Sequence, residues 1–232
     1  MGALVTYRLE DAVATVTLDD GKVNALSPGM LAEIGAALDR AEADGAVVVL
    51  TGRERVFSAG FDLRVLRGGG AEAYGMLMAG FELAVRMLAF PRPVVVACNG
   101  HAYAMAVFLL LSGDYRVGVD GPYTITANEV AIGLTMPHTA VEVCRQRLTP
   151  AHFTRAVVNA EAYSPADAVP AGFLDRVVAD EELAVTARAK AVELAKLDPQ
   201  AHAASKLRVR GPALAAIREA IEKDAVDLRA SG

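Results

Sequence analysis

Two short runs, Val47-Val48-Val49-Leu50 and Val94-Val95-Val96-Ala97, constrain the fold more than anything else in this chain. Neither alternates apolar with polar residues, as a strand with one wet face would. Each reads as a strand covered on both faces, and a sheet of such strands needs helices above and below it. Helical patterns lie in the right places. Ser27-Pro28 opens the first, with serine as N-cap and proline in the first turn. Leu31, Ile34, Leu38 and Ala41 give it a buried stripe, and Gly45 follows its last turn. Leu77, Phe81, Ala84 and Leu88 mark a second helix, and Pro91 and Pro93 frame the entry to the second buried strand. Ahead of all this, "LVTYRLE" and "VATVTLD" read as a hairpin about Asp11-Ala12, ended by Asp19-Asp20-Gly21. Strand and helix thus alternate around a buried sheet over the first two thirds of the chain, an α/β pattern.

From about Thr149 the sequence turns alanine-rich and helical, with one strand-like insert, "FLDRVV", at 173–178. Leu214, Ile217, Ile221 and Leu228 give the last helix an apolar face, suited to its own domain or to a neighbouring subunit. The division expected is a core over residues 1–178 and a helical region over 179–232. Residues 51–70 read as a polar loop, and the glycines at 68–70 as a flexible connection rather than a boundary.

Composition narrows the function. A net charge of −5 argues against nucleic acid as a partner, and the one dense basic stretch, Lys206 to Arg210, reads as a solvated helix face. Cys98 and Cys144 are distant and sit in apolar surroundings, so two buried thiols in a reducing compartment are expected. The N-terminal residues lack the layout of a signal peptide, and no segment offers the ~20 apolar residues of a membrane span. A cytoplasmic protein without a membrane partner is the expectation.

No phosphate-binding glycine loop, zinc-protease motif or nucleophile elbow is present, and the four histidines show no ligand spacing, so no metal is expected. His138, after Pro137, is the least settled of the four. Three stretches stand out instead: "FSAGFDL" at 57–63, "NGHAYAMAVFLLLSGD" at 99–114, and "ITANEVAIGLTMP" at 125–137. Singly they read as a tight turn, a strand exit, and a helix start in which Asn128 caps and Glu129 sits in the first turn. An Asn-Gly turn feeding a helix N-terminus is also a place to stabilise negative charge.

Together, and with "KVNALS" at 22–27, "PVVVACNGHAYAM" at 93–105, "NEVAIGL" at 128–134 and "YSPADAVPAGFLDRVV" at 163–178, they resemble the crotonase superfamily of enoyl-CoA hydratases and isomerases over nearly the whole chain. The resemblance implies a fold of repeated ββα units wound into a spiral, with a helical C-terminal region that builds a trimer or a dimer of trimers. It implies an acyl-CoA substrate of fatty-acid metabolism, with CoA entering as part of the substrate and no separate cofactor. It implies an enolate whose oxyanion is held by the backbone N–H groups of Phe61 and Met105. CoA would lie along Lys22, Asn24, Ala25 and Leu26 and along Ser58, Ala59, Gly60, Asp62 and Leu63, mostly touching backbone.

The chain departs from the commonest family pattern twice. Ala104-Met105-Ala106 replaces a glycine triplet, and Phe108 stands where hydratases place a first glutamate. Only Glu129 keeps its carboxylate. Hydration needs an acid and a base, whereas one carboxylate can carry a proton from C2 to C4 of a 3-enoyl thioester. The "NEVAIGL" stretch also resembles the Δ3,Δ2-enoyl-CoA isomerase form of the motif. Isomerisation is therefore expected, with 2-enoyl-CoA hydration as the alternative. A third reading is a non-catalytic acyl-CoA binder in which Glu129 only caps a helix. A lone glutamate in an apolar pocket should have a raised pKa, which suits reversible proton transfer.

Overall fold

A computed structural model describes residues 2–230. β1 (Val5–Glu10) and β2 (Val13–Leu18) form the antiparallel hairpin, with Glu10 opposite Val13. α1 (Pro28–Ala43) follows, and the Ser27 hydroxyl accepts from the Met30 N–H at its start. The chain then repeats one unit: a long strand, a short strand and helix. β3 (Val47–Gly52) leads to β4 (Val56–Ser58), α2 (Leu63–Gly68) and α3 (Gly70–Ala89). β5 (Val94–Cys98) leads to β6 (His101–Tyr103) and α4 (Met105–Leu111). β7 (Tyr115–Val119) leads to β8 (Ile125–Thr126), a 3-10 turn at Val130–Ile132, and α5 (His138–Arg145). α6 (Pro150–Val157), α7 (Pro165–Ala171), β9 (Arg176–Val178), α8 (Asp180–Leu194) and α9 (Pro199–Ala230) complete it.

The long strands form a six-stranded sheet in the order β1-β2-β3-β5-β7-β9, parallel from β2 onward, and the short ones a parallel sheet β4-β6-β8. This is the ββα arrangement of the crotonase fold. The unalternating valines have the expected cause. Val48, Leu50, Val94 and Val96 point into the main core with α1, α3 and α4. Val47, Val49, Val95 and Ala97 point the other way, under Leu183, Ala187 and Ala191 of α8. Both faces are dry.

The junction between long and short strands is fixed by Asn99. Its Oδ1 accepts from the Gly52 N–H at 3.0 Å, and its Nδ2 donates to the carbonyls of Gly52 and Arg53. The next residue must be glycine, because a Cβ on Gly100 would lie 2.1 Å from the Arg55 carbonyl oxygen. Asn-Gly here is a clamp between two strand exits.

Three sequence expectations change. Residues 51–70 are not an open loop, since they contain β4 and α2. The insert at 173–178 is a strand only over Arg176–Val178, because Phe173 and Leu174 turn into the core after the left-handed Gly172. The basic stretch is not a solvated face: Lys206 and Arg210 are buried, while Leu207 and Val209 between them are exposed. Lys206 Nζ donates to Asp114 at 2.6 Å and to the carbonyls of Phe90 and Arg92. Arg210 pairs with Asp114 at 3.0 Å and donates to the Leu88 carbonyl. These contacts collect the carbonyls at the end of α3, where cations are favoured. They hold α9 against its own chain. Among the described residues no helix is long and apolar enough to cross a membrane.

Lys206→Met is expected to leave two carbonyls without this donor and Asp114 with Arg210 as its one cationic partner, beside the Val94 N–H. Removing one partner of a buried pair typically costs ~3 kcal/mol or more. Urea denaturation should register that loss, and an unchanged midpoint would mean that the node does not anchor α9.

Candidate active site

A cavity of about 450 Å³ lies between the α2–α3 segment, the start of α4 and the loop over residues 128–137. Its walls are mostly apolar, with Leu66, Leu77, Phe81 and Phe108 among them. Three strands of the small sheet deliver the groups of interest. Ser58 pairs with Ala102 across β4 and β6, and Ala102 pairs with Ile125 across β6 and β8. Phe61 and Met105 lie three residues beyond Ser58 and Ala102 (61 − 58 and 105 − 102), and Glu129 four beyond Ile125 (129 − 125).

The turn before Phe61 is tied down from below. Asn24 is fully buried and donates to the carbonyls of Val56 and Phe57 at 3.1 Å. Ser58 Oγ donates to the Asn24 carbonyl at 2.7 Å and accepts from the Gly60 N–H at 3.1 Å. Leu26 N–H donates to the Gly60 carbonyl at 2.8 Å. Gly60 has φ +83°, and a Cβ there would lie 2.7 Å from the Tyr103 carbonyl oxygen and 3.4 Å from the Met105 nitrogen. The two turns are therefore packed backbone to backbone. Among the described residues, neither the Phe61 nor the Met105 N–H has an acceptor. Met105 opens α4, where a free N–H is inherent to the helix start. Two free donors this close to an apolar cavity are of the kind that can hold an anion.

Ala104, between them, is strained. Its φ of 50° and ψ of −123° belong to a region that glycine occupies and alanine does not. The strain is locked in by the Ala104 N–H donating to Thr126 and the Ala104 carbonyl accepting from Val107.

Glu129 is 7 % exposed and lines the cavity, and its Oε2 has no partner. Burial pushes its pKa up to about 7, against a smaller opposing effect of its own backbone N–H. It does not cap the turn it starts, because no side-chain capping bond is made there. Asn128 does not cap either: its Oδ1 is buried and unpartnered at the cavity wall. Behind them the Cys144 thiol is held protonated, by burial and by the nearby Glu129 charge. Glu129 is the one carboxylate in the lining among the described residues.

Of the residues singled out in the sequence, Ala59, Phe61, Leu63 and Glu129 line the cavity, with Ala104 and Phe108 beside them. The Met105 side chain is fully buried and is not in the lining. The Asn24, Leu26 and Ser58 side chains are buried and hold the turn, and Asp62 caps α2 and pairs with Arg64 at 2.9 Å. Lys22 is exposed and Ala25 half-buried, so these two face outward together with Val23 between Lys22 and Asn24. None of the four histidines lines the cavity: His101 stacks on Tyr103, His152 contacts Tyr163, His138 lies 3.4 Å from Asp227, and His202, on α9, has a buried Nε2 without a partner. No group of three or more metal-ligating side chains occurs among the described residues. Tyr74, Leu66 and Leu228, all in the lining, were not legible as site residues.

The family model for enoyl-CoA hydratase/isomerase matches residues 8–228. The structure is similar to an enoyl-CoA hydratase/isomerase family protein from Pseudomonas syringae, at 48 % identity and TM-score 0.95, covering 97 % of this chain and 98 % of that one. It is also similar to the apo form of a Mycobacterium tuberculosis enoyl-CoA isomerase, at 46 % identity and TM-score 0.93, covering 97 % and 99 %. That mycobacterial protein is called a probable hydratase in another structure. Mouse mitochondrial enoyl-CoA delta isomerase 1 is 32 % identical over 76 % of this chain and 63 % of its own length. The chain spans about two thirds of the mammalian relatives it matches.

Two stability effects are expected. Ala104→Gly relieves the strained backbone and should raise the unfolding free energy by ~1 kcal/mol, after the greater entropy loss of glycine. A fall would mean that the alanine methyl packs better than its backbone is strained. Glu129→Gln should act in a pH-dependent way. The native carboxyl titrates at about 7 against 4.5 for a free one, so the native state binds more protons between those values. Its stability must then fall as pH rises through that window. The glutamine variant escapes this and should be more stable by ~3 kcal/mol at about pH 8, but not at about pH 4. Chemical denaturation at both pH values checks the sign.

Proposed function

The chain belongs to the enoyl-CoA hydratase/isomerase family, and from that membership we propose that it isomerises 3-enoyl-CoA thioesters to 2-enoyl-CoA. The thioester carbonyl oxygen lies between the Phe61 and Met105 N–H groups. Glu129, as carboxylate, removes a proton from C2, and the electron pair of the C–H bond passes into a dienolate whose oxyanion the two donors hold. The same carboxyl then returns the proton to C4. One C–H bond breaks and one forms, the double bond moves from C3 to C2, and nothing is gained or lost. Each oxyanion donor is worth ~3 kcal/mol in the transition state. CoA lies along the outward faces of residues 22–26 and 58–63.

One observation carries this reading: a single carboxylate lines a mostly apolar wall, and Phe108 faces the cavity where hydration chemistry would want a second. A carboxyl near neutrality both takes and returns a proton. The non-catalytic reading loses its basis, since Glu129 caps nothing. Hydration has one observation in its favour, the unpartnered Asn128 Oδ1 beside Glu129, which suits an ordered water. Assembly into a trimer or a pair of trimers belongs to the same proposal, supported by the exposed Leu207 and Val209 on α9 and Val185 on α8.

Separate incubation with 3-enoyl-CoA and 2-enoyl-CoA, followed by thioester absorbance, tests the reaction. Turnover of the first alone supports isomerisation, and efficient hydration of the second overturns it. Glu129→Gln should lower isomerisation at least ~100-fold with little change in CoA-ester affinity. Since the base form is required, kcat/KM should rise with pH to a plateau above about 7. A flat profile, or an active glutamine variant, would remove Glu129 from the mechanism.

A further inference from the structure

The cavity takes all but one of its lining residues from the stretch 59–137, and the exception is Leu228, near the end of α9. Leu228 is half-buried, while Val226 and Asp227 beside it face outward. Among the described residues it is thus the one side chain of α9 in the cavity lining.

This end of α9 is pinned across the cleft between α3 and α5. Asp224 accepts from the N–H groups of both His138 and Thr139 at 2.8 Å, capping α5. Arg218 pairs with Glu82 of α3. Arg229 donates to the Tyr74 hydroxyl at 3.1 Å with its guanidinium 5.5 Å from the ring centre, and Tyr74 is itself in the lining. Another part of the lining is built differently. Gly69 and Gly70, which join α2 to α3, have φ of 63° and 65°, with open space where each Cβ would be. That side can yield at a glycine joint, whereas the α9 side is fixed.

We propose that Leu228, braced by the Arg229–Tyr74 contact, is the specificity-determining stop of the acyl subsite and sets the longest acyl chain the cavity accepts. The assignment rests on the acyl-CoA reading above. Each methylene moved from water into apolar surroundings strengthens binding about fourfold, so affinity climbs with chain length while the wall is clear. A chain that overruns Leu228 must displace a packed side chain, which costs what the extra methylenes gain.

Titration calorimetry with saturated acyl-CoA thioesters, from butanoyl to hexadecanoyl, tests this without turnover. The unaltered protein should show affinity rising to its maximum at the chain length that just reaches Leu228, with no gain beyond it. Leu228→Ala should move the maximum to longer chains and Leu228→Trp to shorter ones. The ratio of dissociation constants for a long and a short ester should shift about tenfold in opposite directions. Arg229→Gln, at an exposed position, should blur the maximum without moving it, which keeps the test open should the tryptophan variant misfold. The same length profile in all four proteins would overturn the stop while leaving the acyl-CoA reading intact. Failure of the unaltered protein to bind any acyl-CoA would overturn both.

Discussion

Everything in this molecule depends on a parallel sheet being dry on both faces. Because α8 covers one face and α1, α3 and α4 the other, the central strands β3 and β5 present almost wholly apolar side chains. Chemistry is displaced to where the strands end. There the Asn99 amide and Gly100 bring two strand exits within contact, and the short strands continue from them as a second sheet. At those ends the backbone N–H groups of Phe61 and Met105, rather than side chains, are the donors left without acceptors among the described residues.

The site is costly to keep. Glu129 is buried without a counter-charge, and Ala104 is held in a conformation suited to glycine. Both burdens sit beside the cavity, and both are borne by the packing around them. Asp114 serves the opposite end. One carboxylate with Lys206 and Arg210 gathers the end of α3 and binds it to α9. Ionic groups thus occupy two contrasting settings, one buried and unpaired at the cavity and one paired within the architecture.

Much of this was legible in the sequence, for physical reasons. Runs of valine without alternation can only be strands buried twice, and Ser27-Pro28 is a helix start by its hydrogen-bonding chemistry. A solitary carboxylate among small and apolar residues marked Glu129. What escaped was set by distance along the chain. β4, β6 and β8 have two or three residues each, too short to carry a period. Lys206 and Arg210 share one helix face four residues apart, and nothing local says that Asp114 and the carbonyls of α3 wait for them. Leu228 looks like any leucine of an apolar stripe until α9 is docked. The Phe61 and Met105 donors carry no side-chain signature, so only resemblance to a family could find them.

The small sheet has a consequence of its own. Phe61, Met105 and Glu129 stand at fixed offsets past paired residues on three neighbouring strands, so β4, β6 and β8 work as a ruler. The smallest division on such a ruler is one residue, about 3.3 Å. Catalytic geometry tolerates an error of roughly 1 Å before the rate drops severely. A slipped register would therefore displace Phe61, Met105 or Glu129 by at least one whole step, and their mutual spacing is digital. A change at Tyr163, whose backbone is hydrogen-bonded to Ile125 at the outer edge of the sheet, bears on the scale itself.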